Sequence, residues 1–451
     1  MPDTTVPIDS GWRRLGTSAG WLVAGRVVSA ACGLVQVPLA LTSLGTERFG
    51  LWIAITALMW TLSSFDGGLG FALQNRIATL VATGTQADAA ALVRRGRRWL
   101  WWLAGGVGLA GVALAICGPW SQWLGVNDAV LAAEIKPAVA IAFAAATLSL
   151  PLSLAARVAA AVQLMSLTGR WTAVASVLSL VAVAVAARLH LPLAGFVLAA
   201  SIALLVAPAG TWLQLHRQIT WLRRRDAPAP AVPGLGRESV WFFLPQLGAA
   251  FNGSFVPALV AFFADPATTG TYGVLQRLFG LALQLQGMVL MPTWPAYTQA
   301  AARGDPAFAR RTFRATWMLT ALGFILPTLL LTPWVPAVVR MWLGDRAPAI
   351  APFLLWMLAG WHVLQYCGQP IAMLLNGVGR MESMAVLGWI GIAVTLALCP
   401  MLGLRWGAAG VIAALALPYA LLNLPVTWWH ACRAIAAVAP RSASVAAAPM
   451  P

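Results

Sequence analysis

Residues 44–98, LGTERFGLWIAITALMWTLSSFDGGLGFALQNRIATLVATGTQADAAALVRRGRR, decide the fold. The stretch opens on a short polar turn and runs through a long apolar segment to the acidic, glycine-rich Phe65-Asp66-Gly67-Gly68-Leu69-Gly70. It closes on a strongly basic loop. A version of it returns in the second half. After Ala264-Asp265-Pro266, Tyr272-Gly273-Val274 stands where Phe49-Gly50-Leu51 stood, and Ala302-Arg303-Gly304-Asp305 leads to Arg310, Arg311 and Arg314 as Ala82-Thr83-Gly84-Thr85 leads to Arg94 and Arg95. The offset is 223 residues at the first match (272 minus 49) and 220 at the second (304 minus 84). A duplicated membrane unit is the simplest explanation.

Composition agrees. With 60% hydrophobic and 9% charged residues and a mean hydropathy of +0.79, the chain lies outside soluble globular composition and reads as an all-α polytopic membrane protein. About 20 apolar residues cross a bilayer core, and twelve such segments are present, centred near residues 30, 60, 108, 148, 179, 203, 250, 283, 322, 363, 391 and 418. The net charge of +16 falls in short loops between these runs, so it marks membrane topology and no nucleic-acid partner is expected. With an inside N-terminus, 20 basic residues fall on the cytoplasmic side, among them Arg13, Arg14, Arg94, Arg95, Arg97, Arg98 and Arg223 to Arg225. Six fall outside: Arg48, Lys136, Arg188, Arg340, Arg346 and Arg405. Both termini are therefore expected inside, on a multi-pass protein of a bacterial cytoplasmic (inner) membrane.

Many of the 23 tryptophans sit near span ends and read as interfacial anchors; Trp60 and Trp361 fall mid-span and could stack on a sugar. The five cysteines lie in or beside apolar runs without CxxC spacing, which supports packing and neither a disulfide framework nor a metal site.

The segment 223–237, RRRDAPAPAVPGLGR, cannot continue a helix. It divides the chain into an N-terminal six-helix bundle, 1–222, and a C-terminal one, 238–438, followed by a small-residue tail, 439–451, expected to be disordered. Further repeat matches agree: Gly169-Arg170 with Gly379-Arg380, and Pro192-Leu193-Ala194-Gly195 with Gly407-Ala408-Ala409-Gly410. Corresponding spans sit six apart, so the two bundles share orientation and are related by a pseudo-two-fold axis along the membrane normal, enclosing a central cavity.

No enzyme signature is present: no P-loop, no HExxH, no Asp-x-Asp, and no outer loop of catalytic size. Ionisable residues within spans are expensive and mark function. Arg26 lies about ten residues into its span, roughly 15 Å at helical rise, and is the leading candidate for an anion ligand. Arg277 shares a polar stripe with Gln276 and Gln284 and is the second. Arg157 lies close enough to the cytoplasmic end to snorkel. Asp66 reads as a proton or cation site, a partner for an arginine, or a helix-breaking cap. His362, Gln365, Gln369 and Asn376, at spacings of 3, 4 and 7, share one helical face suited to a hydrated glycan or to interhelical hydrogen bonds. Gln246 and Asn252 extend the polar set, and Pro38 and Pro257 permit bending in the first helix of each bundle, as gate hinges would require.

Leu44-Gly45-Thr46-Glu47-Arg48-Phe49-Gly50-Leu51-Trp52, Asp66-Gly67-Gly68-Leu69-Gly70, Ala82-Thr83-Gly84 before the basic loop, and Asn376-Gly377-Val378-Gly379-Arg380 together resemble the polysaccharide transporter family, the Wzx-type oligosaccharide-lipid flippases of the MOP/MATE-like superfamily. The resemblance implies a pair of six-helix bundles alternating between inward-open and outward-open states. It implies as cargo an undecaprenyl-pyrophosphate-linked oligosaccharide, moved from the cytoplasmic to the outer leaflet for O-antigen, capsule or exopolysaccharide synthesis beside other polysaccharide-assembly membrane proteins. Cationic residues of the cavity would bind the headgroup, a role that Arg26 and Arg277 fit by position. No cofactor is expected, and proton, sodium or potential coupling stay open. Two alternatives stand: a MATE-like cation-coupled small-molecule exporter, which needs an acidic cavity, and a polytopic glycosyltransferase or ligase, which needs a large outer loop.

Overall fold

The computed structural model describes residues 11–82, 85–162, 164–223, 239, 255–291, 293–378, 380 and 382–438. The expected tail, 439–451, lies outside the described residues, as do all of the expected linker but Arg223, the span centre at 250, and Gln246 and Asn252. The described residues are nearly all helical and include no strand. Among the described residues, seven helical stretches are long and apolar enough to cross a membrane. Every other expected span centre falls inside a helix.

The chain packs as two compact units, Met1–Gly270 and Thr271–Pro451. In the first, α1 (Gly11–Ser63) carries two spans in one run, because the backbone leaves helical geometry only at Gly45 (φ 74°, ψ 173°), a conformation that residues with a Cβ avoid. A break at residues 64–68 follows, then α2 (Leu69–Ala82), α3 (Gln86–Cys117), the short α4 (Trp120–Trp123), α5 (Ala129–Ala161), α6 (Met165–Arg188), α7 (Leu193–Gln218) and α8 (Val256–Phe263). Because α8 packs on α1, the first unit extends beyond the expected linker.

Small residues set the closest crossings. A Cβ at Gly25 of α1 would stand 2.4 Å from the Gly169 carbonyl oxygen of α6, and one at Gly169 would stand 2.3 Å from the Trp21 oxygen. Side-chain-free contact of this kind brings helix backbones together in lipid, where burial of apolar surface no longer drives association. Buried polar groups then fix register. Gln36 donates to Ser179 at 3.3 Å, Ser179 donates to the Ala199 carbonyl at 2.9 Å, and Trp52 donates from Nε1 to the Phe196 carbonyl at 3.2 Å. Just past the Gly45 break in α1, Arg48 pairs with Glu134 of α5 at 2.8 Å, while Glu134 also accepts from the Leu193 amide at the start of α7 (3.1 Å). One carboxylate thus joins three helices.

The core of this unit lies at the end carrying the arginine loop. Leu73 and Ile77 of α2, Leu92 and Leu100 of α3, Leu154 and Val158 of α5, and Leu215 of α7 are fully buried there. The second unit contains α9 (Pro266–Leu290, entering from the first), α10 (Thr293–Arg303), α11 (Pro306–Thr320), a π-helical turn (Ala321–Ile325), α12 (Leu326–Leu331), α13 (Val335–Leu343), α14 (Pro352–Gly377), α15 (Glu382–Pro418), a second π-helical turn (Tyr419–Asn423) and α16 (Leu424–Ala436). Its α10 packs on α11 and α14 around Tyr297, Phe313 and Leu374, as α2 packs on α3 and α5 in the first unit. The repeat read from Gly84 and Gly304 is this short helix folded back before a basic one. The Pro192 and Gly407 matches also mark equivalent events: Pro192 caps α7, and Gly407 (φ 56°) breaks α15 before its last stretch.

Outward-facing surfaces are apolar. Leu109 is 76% exposed and Leu404 81%, an exterior suited to lipid.

Candidate functional site

Asp66 is buried in the break between α1 and α2, where Gly67 (φ 66°) and Gly68 (φ 70°) take left-handed conformations. Its Oδ1 accepts the Gly68 amide at 2.9 Å, and its carbonyl accepts the Leu69 amide at 3.3 Å. This is the start of α2 capped by its own preceding turn. Arg157 of α5 lies beside it, with its guanidinium 3.5 Å from the centre of the Phe71 ring. Arg157 therefore does more than reach for the headgroups. It stacks on Phe71 and sets a positive charge next to Asp66, and Gly70 leaves the room both need: a Cβ there would meet Asp66 Oδ2 at 2.4 Å and Arg157 Cγ at 3.2 Å.

Arg26 lies on α1 one residue beyond the Gly25 crossing, and its side chain is exposed. Among the described residues it has no ion pair, hydrogen bond or ring contact, whereas Arg48 pairs with Glu134, Arg157 lies over Phe71 and Arg170 lies 4.7 Å over Trp21. Pro38, further along α1, is half-buried inside the continuous helix, and its carbonyl accepts from the Thr42 hydroxyl. Pro257 lies in α8, Val256–Phe263.

The other expected residues belong to α9 and α14 of the second unit. Gln284 is exposed, while Gln276, Arg277, Gln365, Gln369 and Asn376 are half-buried. His362 is fully buried. Its ring stacks on Phe279 of α9, with centroids 5.2 Å apart, and Nδ1 lies 2.9 Å from the Leu358 carbonyl. A ring nitrogen against a carbonyl carries the proton, so Nε2 of the neutral ring is an acceptor. That atom and the buried side-chain carbonyl oxygens of Gln276 and Gln365 have no hydrogen-bond partner among the described residues. Burying a polar atom unpaired costs about 1–3 kcal/mol, so three such atoms on facing stretches of two helices indicate a place where water or a polar ligand completes the bonding.

Sequence reasoning missed Gln286. It is fully buried on α9, and its amide donates to Thr320 Oγ1 of α11 at 3.1 Å and to the Tyr366 carbonyl of α14 at 3.0 Å. The available signal was spacing: Gln286 follows Phe279 by seven residues and so shares the face that stacks on His362, whereas Gln284 lies on another. Trp361 is also a packing residue, edge-on to Tyr419 at 5.4 Å, while Trp60 is exposed. No group of three or more His, Cys, Asp or Glu side chains suited to a metal ion occurs among the described residues.

No protein-family model and no curated protein matches the chain. Solved structures do. An inward-facing multidrug resistance MATE family transporter of the MOP superfamily superposes with a TM-score of 0.76 at 11% identity, over 94% of this chain and 100% of the other. The chain has the MOP-superfamily transporter fold. A MOP superfamily transporter from Pyrococcus furiosus, described as having a binding pocket of reverse polarity that suggests a different function, matches with a TM-score of 0.64 at 12% identity over 94% and 96% of the two chains. A MATE transporter of Vibrio cholerae matches with a TM-score of 0.59 at 17% identity over the same shares. The MOP fold is a multi-pass helical membrane architecture, and these neighbours are transporters.

Proposed function

We propose that this chain is an alternating-access transporter of a bacterial cytoplasmic membrane that carries an undecaprenyl-pyrophosphate-linked oligosaccharide from the inner to the outer leaflet. The observation that carries the reading is the sign of the charge left available within the spans. Asp66, at the break between α1 and α2, is buried and spends its Oδ1 on the Gly68 amide with Arg157 beside it, whereas Arg26 is exposed and unpaired among the described residues. A cation exporter needs the opposite arrangement. A diphosphate in a low-dielectric site needs charge-assisted donors, and guanidinium offers a planar fork matched to phosphate oxygens. Arg26 holds the pyrophosphate in this reading, and Arg277, on α9, is the other candidate cation. The unpartnered atoms of Gln276, His362 and Gln365, with Gln284, Gln369 and Asn376, offer hydrogen bonds to sugar hydroxyls. The reverse-polarity neighbour supports the view that one fold accommodates pockets of differing charge.

The binding step is tested with purified protein and a fluorescent undecaprenyl-pyrophosphate oligosaccharide. Removing one charge-assisted contact, as in Arg26→Ala, is expected to weaken binding by about 10- to 100-fold, with partial recovery in Arg26→Lys. Equal binding by wild type and Arg26→Ala removes Arg26 from the site. Saturable binding of a cationic dye with no affinity for the lipid-linked sugar favours the exporter instead.

A further inference from the structure

At the arginine-loop end of the first unit, α3, α5 and α7 enclose a cavity of about 740 Å³ lined by Arg94, Arg97, Arg98, Trp101, Trp102, Gly105, Pro151, Leu152 and Trp212. We propose that it is a binding site for an anionic phospholipid, with the phosphate on Arg97 and Arg98 and an acyl chain along Trp101, Trp102 and Gly105. This site lies within the first unit and does not depend on what the chain carries.

The helix geometry produces the site. Positions 94, 97, 98, 101, 102 and 105 recur at spacings of three and four and form one stripe on α3. Gly96, in the middle of the basic run, faces the other way: a Cβ there would meet Leu73 of α2 at 2.4 Å. The close fit of α2 thus turns Arg97 and Arg98 towards the cavity. At 32 residues α3 is longer than the bilayer core requires. Its apolar stretch begins at Trp99, so the preceding guanidinium groups lie at headgroup level and the indoles just inside it.

Charge and shape select the occupant. Arg97 lies 5.8 Å over the Trp212 ring, Arg98 is exposed, and neither has a carboxylate partner among the described residues. The nearest acid along α3, Asp88, is nine residues before Arg97, about 13 Å at helical rise. Further into the membrane the wall is open: nothing lies within 4 Å of a Cβ built at Gly105 or Gly106, and Trp102 is 76% exposed. A compact soluble anion would use the arginines and leave this apolar groove uncovered. A phospholipid fills both.

Native mass spectrometry of the full chain in mild detergent, with dioleoyl-phosphatidylglycerol and dioleoyl-phosphatidylcholine at equal concentration, reads the site directly. Wild type is expected to retain the anionic lipid preferentially. The double variant Arg97→Gln/Arg98→Gln should lower that preference by about 10- to 30-fold. Gly105→Trp, which fills the groove without changing charge, should also lower retention, and Arg217→Gln, an exposed arginine at the same end but outside the lining, should leave it unchanged. Equal retention of both lipids by wild type, an unchanged preference in Arg97→Gln/Arg98→Gln, or an equal loss in Arg217→Gln would overturn the assignment. If the double variant fails to fold, Arg98→Gln and Gly105→Trp decide by the same criteria.

Discussion

Asp66 separates two accounts of the same residue type. As a cap, it needs an acceptor oxygen at Oδ1, which asparagine also supplies; as an ion-coupling site, it needs a charge. Asp66→Asn keeps the cap but removes the negative charge beside Arg157, so it is expected to keep transport with a small loss of thermal stability, whereas Asp66→Ala should destabilise the purified protein by about 1–2 kcal/mol more by leaving the Gly68 amide unpaired. A thermal melt in detergent and a transport assay on both variants check this, and loss of transport in Asp66→Asn with an intact melt would assign the coupling role instead. The glycines divide as sharply. A Cβ at Gly50 would stand 1.7 Å from the Pro266 carbonyl oxygen, a backbone atom that cannot swing aside, while Gly20 has nothing within 4 Å. Gly50→Ala should cost about 1–3 kcal/mol and Gly20→Ala should be neutral or slightly stabilising, as measured by melting temperature. These contacts are long-range. The sequence shows that Gly50 and Asp66 belong to a repeated unit, but not that the first meets Pro266 and the second sits beside Arg157.

At the level of helices, the connections between elements are set by caps at their starts. Asp265 caps α9: its Oδ1 accepts the Thr268 amide at 2.9 Å and its Oδ2 accepts the Thr268 hydroxyl at 2.5 Å. Burial alone would raise its pKa, but the bonds from Thr268 outweigh burial and hold the carboxyl below its ordinary 3.8. A carboxyl depressed in the folded state stabilises fully above its unfolded pKa, and that contribution is lost as pH falls through the lower folded value. Wild type should therefore lose stability relative to Asp265→Asn as pH drops below about 3.8, and the two should keep a constant difference above about pH 5. Paired melts across that range check the sign. The clamp of Arg48 on Glu134 is partly exposed, at 35% and 20%, so screening limits it; Arg48→Ala should cost only about 1 kcal/mol, less at high salt. Helix existence was legible because runs of about 20 apolar residues have few other uses. Where helices merge or break was not, since Gly45 and Gly407 leave helical geometry for one residue without ending the apolar run. The amphipathic α2 and α10 were read only as small-residue segments before basic loops, because their role is to pack and not to span.

For the molecule as a whole, the apolar runs and the internal repeat led to the fold because membrane spans and duplication leave marks at fixed spacing along the chain. Of the candidate site, the residue types on α14 were legible from their periodicity. His362 illustrates the limit: a helical face can be read from spacing, but its enclosure against Phe279 depends on a partner helix more than 80 positions away. Gln286 was missed for the same reason. Transport itself is the central claim, and its most direct measurement is the movement of a fluorescent undecaprenyl-pyrophosphate oligosaccharide across sealed proteoliposomes containing the wild-type chain. The account predicts protein-dependent transfer between leaflets, with no glycosidic bond formed and with transfer lost in Arg26→Ala. Absence of transfer under every imposed proton, sodium and potential gradient, with uptake of a cationic dye by the same vesicles, would contradict it.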